Sequence, residues 1–176
     1  MEVIETLFDG YRFRSRTEAR WAVFFKTVGF RYFYEREGFK LRSQWYLPDF
    51  WLPEIKFWLE VKGDEPTDEE QALCEELASQ TRQDVLLAVG PPEPTEQLIW
   101  FQARMPDEEF LVASGRWHFA DDRRNDGEFW LLQKDAAHSI WPKTGPFHER
   151  EPLVHSATKF AYEAARAARF EHGQKG

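Results

Sequence analysis

Apolar residues recur at helical spacing early in the chain. Trp21, Ala22, Phe24, Phe25 and Val28 share a face, Ser15 stands at a capping position, and Gly29 sits where a helix ends. This predicts a helix over about 15–28, after a short lead-in over 1–10. The period then shortens to two. Residues 31–35, 37–41, 44–52 and 55–62 read as strands, 37–41 as the candidate partner of 31–35, with a turn at Pro53-Glu54 and an end at Gly63. Thr67 caps a second helix over about 68–80, and 85–89 is a short buried strand closed by Gly90-Pro91-Pro92. Beyond Pro94 come short aromatic strands at 98–101, 110–112, 116–119 and 129–132, with a polar turn at 121–127. A Pro- and His-containing loop over 138–152 precedes an Ala-rich helix over 156–171. No internal repeat is visible. The order predicts an α/β (α+β) fold: a mixed β-sheet flanked by helices over 11–94, a small C-terminal β appendage over 95–150, and a closing helix over 151–172.

Composition narrows the chemistry. The 176 residues include a single cysteine, Cys74, which excludes a disulfide framework and a thiolate zinc site and suits a reducing, cytoplasmic setting. No apolar run approaches the roughly 20 residues needed to cross a bilayer, and the first ten residues carry no signal pattern. The net charge of -8 argues against a polyanionic partner until its distribution is read. Residues 12–42 hold nine bases against three acids, whereas 64–76 hold seven acids and no base. A basic segment of this kind can steer a polyanion to one face; salt-bridged, solvated helix faces are the plainer reading.

Two neighbouring strands carry the candidate chemistry. Side chains alternate along a strand, so Phe57, Leu59 and Val61 face one way and Trp58, Glu60 and Lys62 the other. Asp49 shares its face with Trp45, Leu47 and Trp51, an unusual neighbourhood for an exposed acid. A hairpin would bring Asp49 near Glu60. Converging half-buried carboxylates are unfavourable without a positive charge between them. A hard divalent cation meets that need, with the Val61 carbonyl as a third oxygen ligand. Lys62 beside it could orient or deprotonate water and stabilise charge on a phosphate, which suits metal-assisted phosphodiester hydrolysis. The plain alternative is an exposed hairpin with a cross-strand salt bridge worth about 0.2–1 kcal/mol. Glu18 lies on the apolar face of the first helix and can join the site, or close a Ser15-Arg16-Thr17-Glu18 capping box, or both. Arg12, Arg14, Arg16 and Arg20 lie within two turns of Glu18 and are candidate phosphate contacts, against plain surface charge.

These residues carry a resemblance. Leu47-Pro48-Asp49-Phe50 and Leu59-Glu60-Val61-Lys62-Gly63, preceded by Arg16-Thr17-Glu18-Ala19-Arg20-Trp21, resemble the PD-(D/E)xK nuclease superfamily over about residues 12–90. The likeness is greatest to compact phage-type members, including Holliday-junction endonucleases and transposase-associated nucleases. It implies a restriction-endonuclease-like core, with Mg2+ or Mn2+ held by Asp49, Glu60 and the Val61 carbonyl. It also implies water activation by Lys62, a helix acid at Glu18, and DNA as substrate. The appendage would set substrate shape or form a homodimer. A catalytically inactive module that binds nucleic acid or a protein partner is the alternative, and a purely structural domain the third.

Other features carry less. His118, His138, His148, His155 and His172 are too dispersed for a zinc site, and neither a Gly-rich phosphate loop nor a nucleophilic Ser or Cys arrangement is present. Lys159, Tyr162, Arg166 and Arg169 fall near one face of the last helix, as a phosphate-tracking stripe or a solvated face. The eight tryptophans and sixteen phenylalanines suit a core, or stacking on unpaired bases.

Overall fold

The structure, a computed structural model, describes residues 5–41, 44–103, 115–122, 128–133, 136–141 and 156–170. A hairpin of β1 (Thr6–Phe8) and β2 (Tyr11–Phe13) comes first, in the stretch expected to be a lead-in. Its turn is Asp9-Gly10, both at positive φ (51° and 82°), the conformation a tight two-residue turn requires. Helix α1 (Arg16–Val28) begins where the Ser15 side chain accepts from the Glu18 N–H. It ends at Gly29, whose φ of 87° lets the chain turn while its N–H bonds back to the last carbonyls.

The strands that follow are β3 (Phe33–Tyr34), β4 (Phe39–Lys40), β5 (Trp45–Tyr46), β6 (Phe50–Leu52) and β7 (Phe57–Lys62). Their pairing departs from the sequence expectation. β3 pairs with β6, and β4 with β5, so 37–41 is not the partner of 31–35. Glu35, at φ 46°, turns the chain out of β3 before a hairpin can form there. The expected single strand over 44–52 is split, because Pro48 has no N–H to offer a ladder.

Thr67 and Glu70 close a reciprocal capping box at the start of α2 (Asp68–Thr81), which crosses over to β8 (Asp84–Val89). β7 and β8 run parallel, as a helical crossover allows. β9 (Leu98–Phe101), β10 (Arg116–Asp122), β11 (Glu128–Gln133) and β12 (Ala136–Trp141) then add antiparallel strands, and α3 (Ser156–Ala167) follows. The result is one eight-stranded mixed sheet in the order β12-β11-β10-β9-β8-β7-β6-β3. The strands expected to form an appendage continue this sheet without a break, and β12 falls where sequence suggested loop. The expected strand at 110–112 lies outside the described residues.

Helices α1 and α3 cover one face and α2 the other. On the first face Trp21, Phe24 and Phe25 meet Phe50, Leu59, Leu86, Phe119 and Tyr162; on the second, Trp58, Val85 and Leu87 meet Leu73, Cys74 and Leu77. Phe24 stacks on Phe119 at 5.6 Å and packs at a tilt against Tyr162 at 4.6 Å, and the Tyr162 hydroxyl donates to the Phe119 carbonyl. The aromatic surplus is therefore largely core. Trp45, Phe160 and Phe33 are its large exposed rings among the described residues. No described helix is long and apolar enough to cross a membrane.

Candidate functional site

The hairpin of β6 and β7 builds the site. Its register pairs Leu52 with Phe57, Trp51 with Trp58 and Phe50 with Leu59, so one step further sets Asp49 opposite Glu60 on the α2 side of the sheet. Both are buried, at 2% and 6% exposure, and Glu18 at the start of α1 is buried at 7%.

Each carboxylate is held differently. Asp49 Oδ2 accepts the Val61 N–H at 2.8 Å, and Oδ1 accepts from Arg14 Nη2 at 2.9 Å. Glu60 Oε1 lies 3.1 Å from Lys62 Nζ; Oε2 is buried without a close hydrogen bond among the described residues, and the Tyr46 hydroxyl is the donor directed at this carboxylate. Glu18 does not close the expected reciprocal box. Its Oε1 takes the Ser15 hydroxyl at 2.7 Å, and its Oε2 takes the Tyr34 hydroxyl at 2.6 Å and the Arg14 N–H at 3.2 Å. Lys62 also pairs with Glu70 Oε1 at 3.1 Å, and Arg14 Nε with Glu35 Oε1 at 2.7 Å.

The electrostatics follow from this crowding. Burial, then the Glu60 and Glu18 charges, pushes the Asp49 carboxyl well above its ordinary range; the Val61 N–H and Arg14 offset this in part. Burial raises Glu60 as well, against the pull of Lys62. Burial works against a charged Lys62, but Glu60 and Glu70 outweigh it and hold the ammonium protonated. Burial and the bond to Glu18 keep Tyr34 neutral and donating. Beneath the site, burial and the Glu60 charge push the Cys74 thiol up to about 12, leaving it inert.

Four carboxylates (Glu35, Asp49, Glu60 and Glu70) thus share two cations, Arg14 and Lys62, while Glu18 is held by neutral donors, among them the Arg14 backbone N–H. Asp49, Glu60 and Val61 offer only oxygen, which suits a hard divalent ion. The Val61 carbonyl faces the β6 side, toward Asp49. Successive residues of a strand point their polar groups to opposite edges. The Lys62 carbonyl takes the Gly90 N–H at 2.7 Å on the β8 side, and the Val61 N–H points to Asp49 on the β6 side. Among the described residues, however, no three His, Cys, Asp or Glu side chains group closely enough to hold a metal by themselves.

The chain matches no family model, no curated protein and no solved structure.

Of the four arginines singled out by sequence, Arg14 alone makes an ion pair with a carboxylate of the site among the described residues. Arg12 pairs with Glu5, Arg16 is exposed, and Arg20 is half-buried with its Nε unpartnered. Sequence reading missed Tyr34, Glu35 and Glu70. Glu70 had a signal, the Thr67-x-x-Glu70 capping pattern. Tyr34 and Glu35 had none, because they reach the site only through the β3–β6 pairing. His118 is half-buried, with burial lowering its pKa, and His138 packs on Trp100 at 4.8 Å. His148, His155 and His172 lie outside the described residues. Tyr162 is core, which removes it from the polar face shared by the exposed Lys159, Arg166 and Arg169.

Proposed function

We propose that the protein is a divalent-metal-dependent endonuclease that hydrolyses DNA phosphodiester bonds on a restriction-endonuclease-like core. One observation carries the reading: Asp49 and Glu60 are buried opposite each other beside a charged Lys62, with the Glu18 charge also bearing on Asp49. Asp49, Glu60 and the Val61 carbonyl are the residues that would hold Mg2+ or Mn2+. Such an ion supplies Lewis acidity and an acidified water. Lys62, already protonated, contributes as a donor and a charge: it orients the nucleophile and stabilises the negative phosphate, and it does not take the proton. Glu18, fixed by Ser15 and Tyr34, adds negative potential beside Asp49.

The experiment is cleavage of supercoiled, nicked, flapped and four-way DNA with Mg2+ and with Mn2+. Cutting is expected, with Asp49→Ala and Lys62→Ala each slower by about 10²–10³-fold. Folded variants that cut at the wild-type rate would refute the assignment. A second reading has its own observation, the Arg14 guanidinium already seated on Asp49. A nuclease-fold module that binds nucleic acid or a protein partner without cutting would keep that pair. DNA retention at low salt with no cleavage in either metal is the result that favours it.

A further inference from the structure

We infer that Arg14 is a displaceable internal counter-ion: it covers the free oxygen of Asp49 when no divalent cation is bound and gives that oxygen up when one is. The inference rests on the metal reading above and assigns the residue that competes with the metal.

Asp49 has one oxygen committed to the main chain, through the Val61 N–H, and the other is covered by Arg14 Nη2 at 2.9 Å. The Asp49 side chain is 3% exposed, but that of Arg14 is 57% exposed. A guanidinium reaching in from the surface can leave without opening the core. Its backbone stays behind, because the Arg14 N–H is bonded to Glu18 Oε2 and to the Tyr34 hydroxyl. Glu35 supplies the resting place. Its carboxylate takes Arg14 Nε at 2.7 Å, its N–H donates to the Asp49 carbonyl at 2.8 Å, and it holds a φ of 46°, which side-chain-bearing residues rarely adopt. The pairing of β3 with β6 therefore tethers Glu35 next to Asp49, and Arg14 bridges the two. Once released from Asp49, the planar guanidinium fork is suited to a phosphate oxygen pair. Arg12, turned outward to Glu5, has no such arrangement.

The test is calorimetric titration of Mn2+ into the full chain without DNA. Arg14→Gln removes both the occupant and its positive charge, so Mn2+ affinity should rise roughly tenfold or more. Arg14→Lys keeps the charge but cannot bridge both carboxylates, and should fall between wild type and Arg14→Gln. It also serves if the glutamine variant does not fold. A merely structural arginine would leave affinity unchanged or weaken it on removal, and that result overturns the inference. If wild type and both folded variants bind no Mn2+, and wild type cuts no DNA, the metal reading fails and takes the counter-ion role with it. If wild type binds Mn2+ and neither variant binds it more tightly, the counter-ion role alone falls.

Discussion

Asp121, on the far half of the sheet, and Asp49, on the near half, are both buried aspartates with opposite surroundings. Asp121 reaches from β10 to the first turn of α3. Its Oδ1 accepts from the Thr158 N–H at 3.0 Å and the Thr158 hydroxyl at 2.5 Å, and its Oδ2 from the Ala157 N–H at 3.3 Å. Helix N–H groups need acceptors, and a negative charge is favoured there by the helix dipole. Asp49 faces two other acids and draws its donors from one backbone N–H and one arginine that arrives from the surface. Burial of a carboxylate is therefore not what marks the site. Uncompensated negative charge is, and the far half of the sheet shows what compensation looks like.

Substitution should separate the two positions most widely. Asp121→Ala removes a helix cap and strands buried donors, so unfolding in urea should show a loss of about 2–3 kcal/mol. Asp49→Asn removes a crowded charge but keeps an acceptor for the Val61 N–H, so the metal-free protein should gain on the order of 1 kcal/mol. Equal losses at both positions would erase the distinction.

Dependence on pH sharpens the same contrast. Asp49 and Glu60 hold protons more tightly folded than unfolded, so the folded state carries the excess protons and stability falls as pH rises. The fall begins near their ordinary values of 3.8 and 4.5 and continues upward through the raised folded values. Asp9, lowered by its bond to Lys26, and Glu70, lowered by the Thr67 backbone, act in the opposite sense, and their contribution is lost as pH falls. Thermal melts should therefore show the advantage of Asp49→Asn over wild type widening with pH above about 4 and closing below it. A constant difference across that range would count against the crowding.

The smallest effect is expected at Glu70. Glu70→Gln keeps a capping acceptor for the Thr67 N–H and removes only the partly exposed pair to Lys62, so stability should change by about 0.5 kcal/mol or less. A larger loss would show that Lys62 depends on Glu70 more than on Glu60.

Much of the near half was legible in advance because its signals are local. The α1 periodicity, the Ser15 and Gly29 caps, the Thr67 box and the alternation of β7 all act within a few residues. The β6–β7 register followed from the short turn, and it brought Asp49 and Glu60 together as the spacing implied. The Asp9-Gly10 turn was an available signal that went unread, and β1 and β2 were missed with it. The assumed 31–41 pairing failed because adjacent strands were taken to pair, while the positive φ at Glu35 and the break at Pro48 sent β3 to β6.

By itself, then, the sequence determined both helices over 15–89, the approximate place of the strands between them apart from the break at Pro48, and which face of β7 carries Glu60 and Lys62. Capping and periodicity are nearest-neighbour physics, readable wherever the residues occur. Only the tertiary structure decided that the aromatic strands beyond residue 95 extend one sheet, that Asp121 caps a helix 35 positions away, and that Arg14 and Glu35 close over Asp49. Those contacts join distant segments, and each is one choice among many pairings of similar local quality. What selects among them is the burial of the shared apolar core, a property of the assembled layers and of no single stretch of chain.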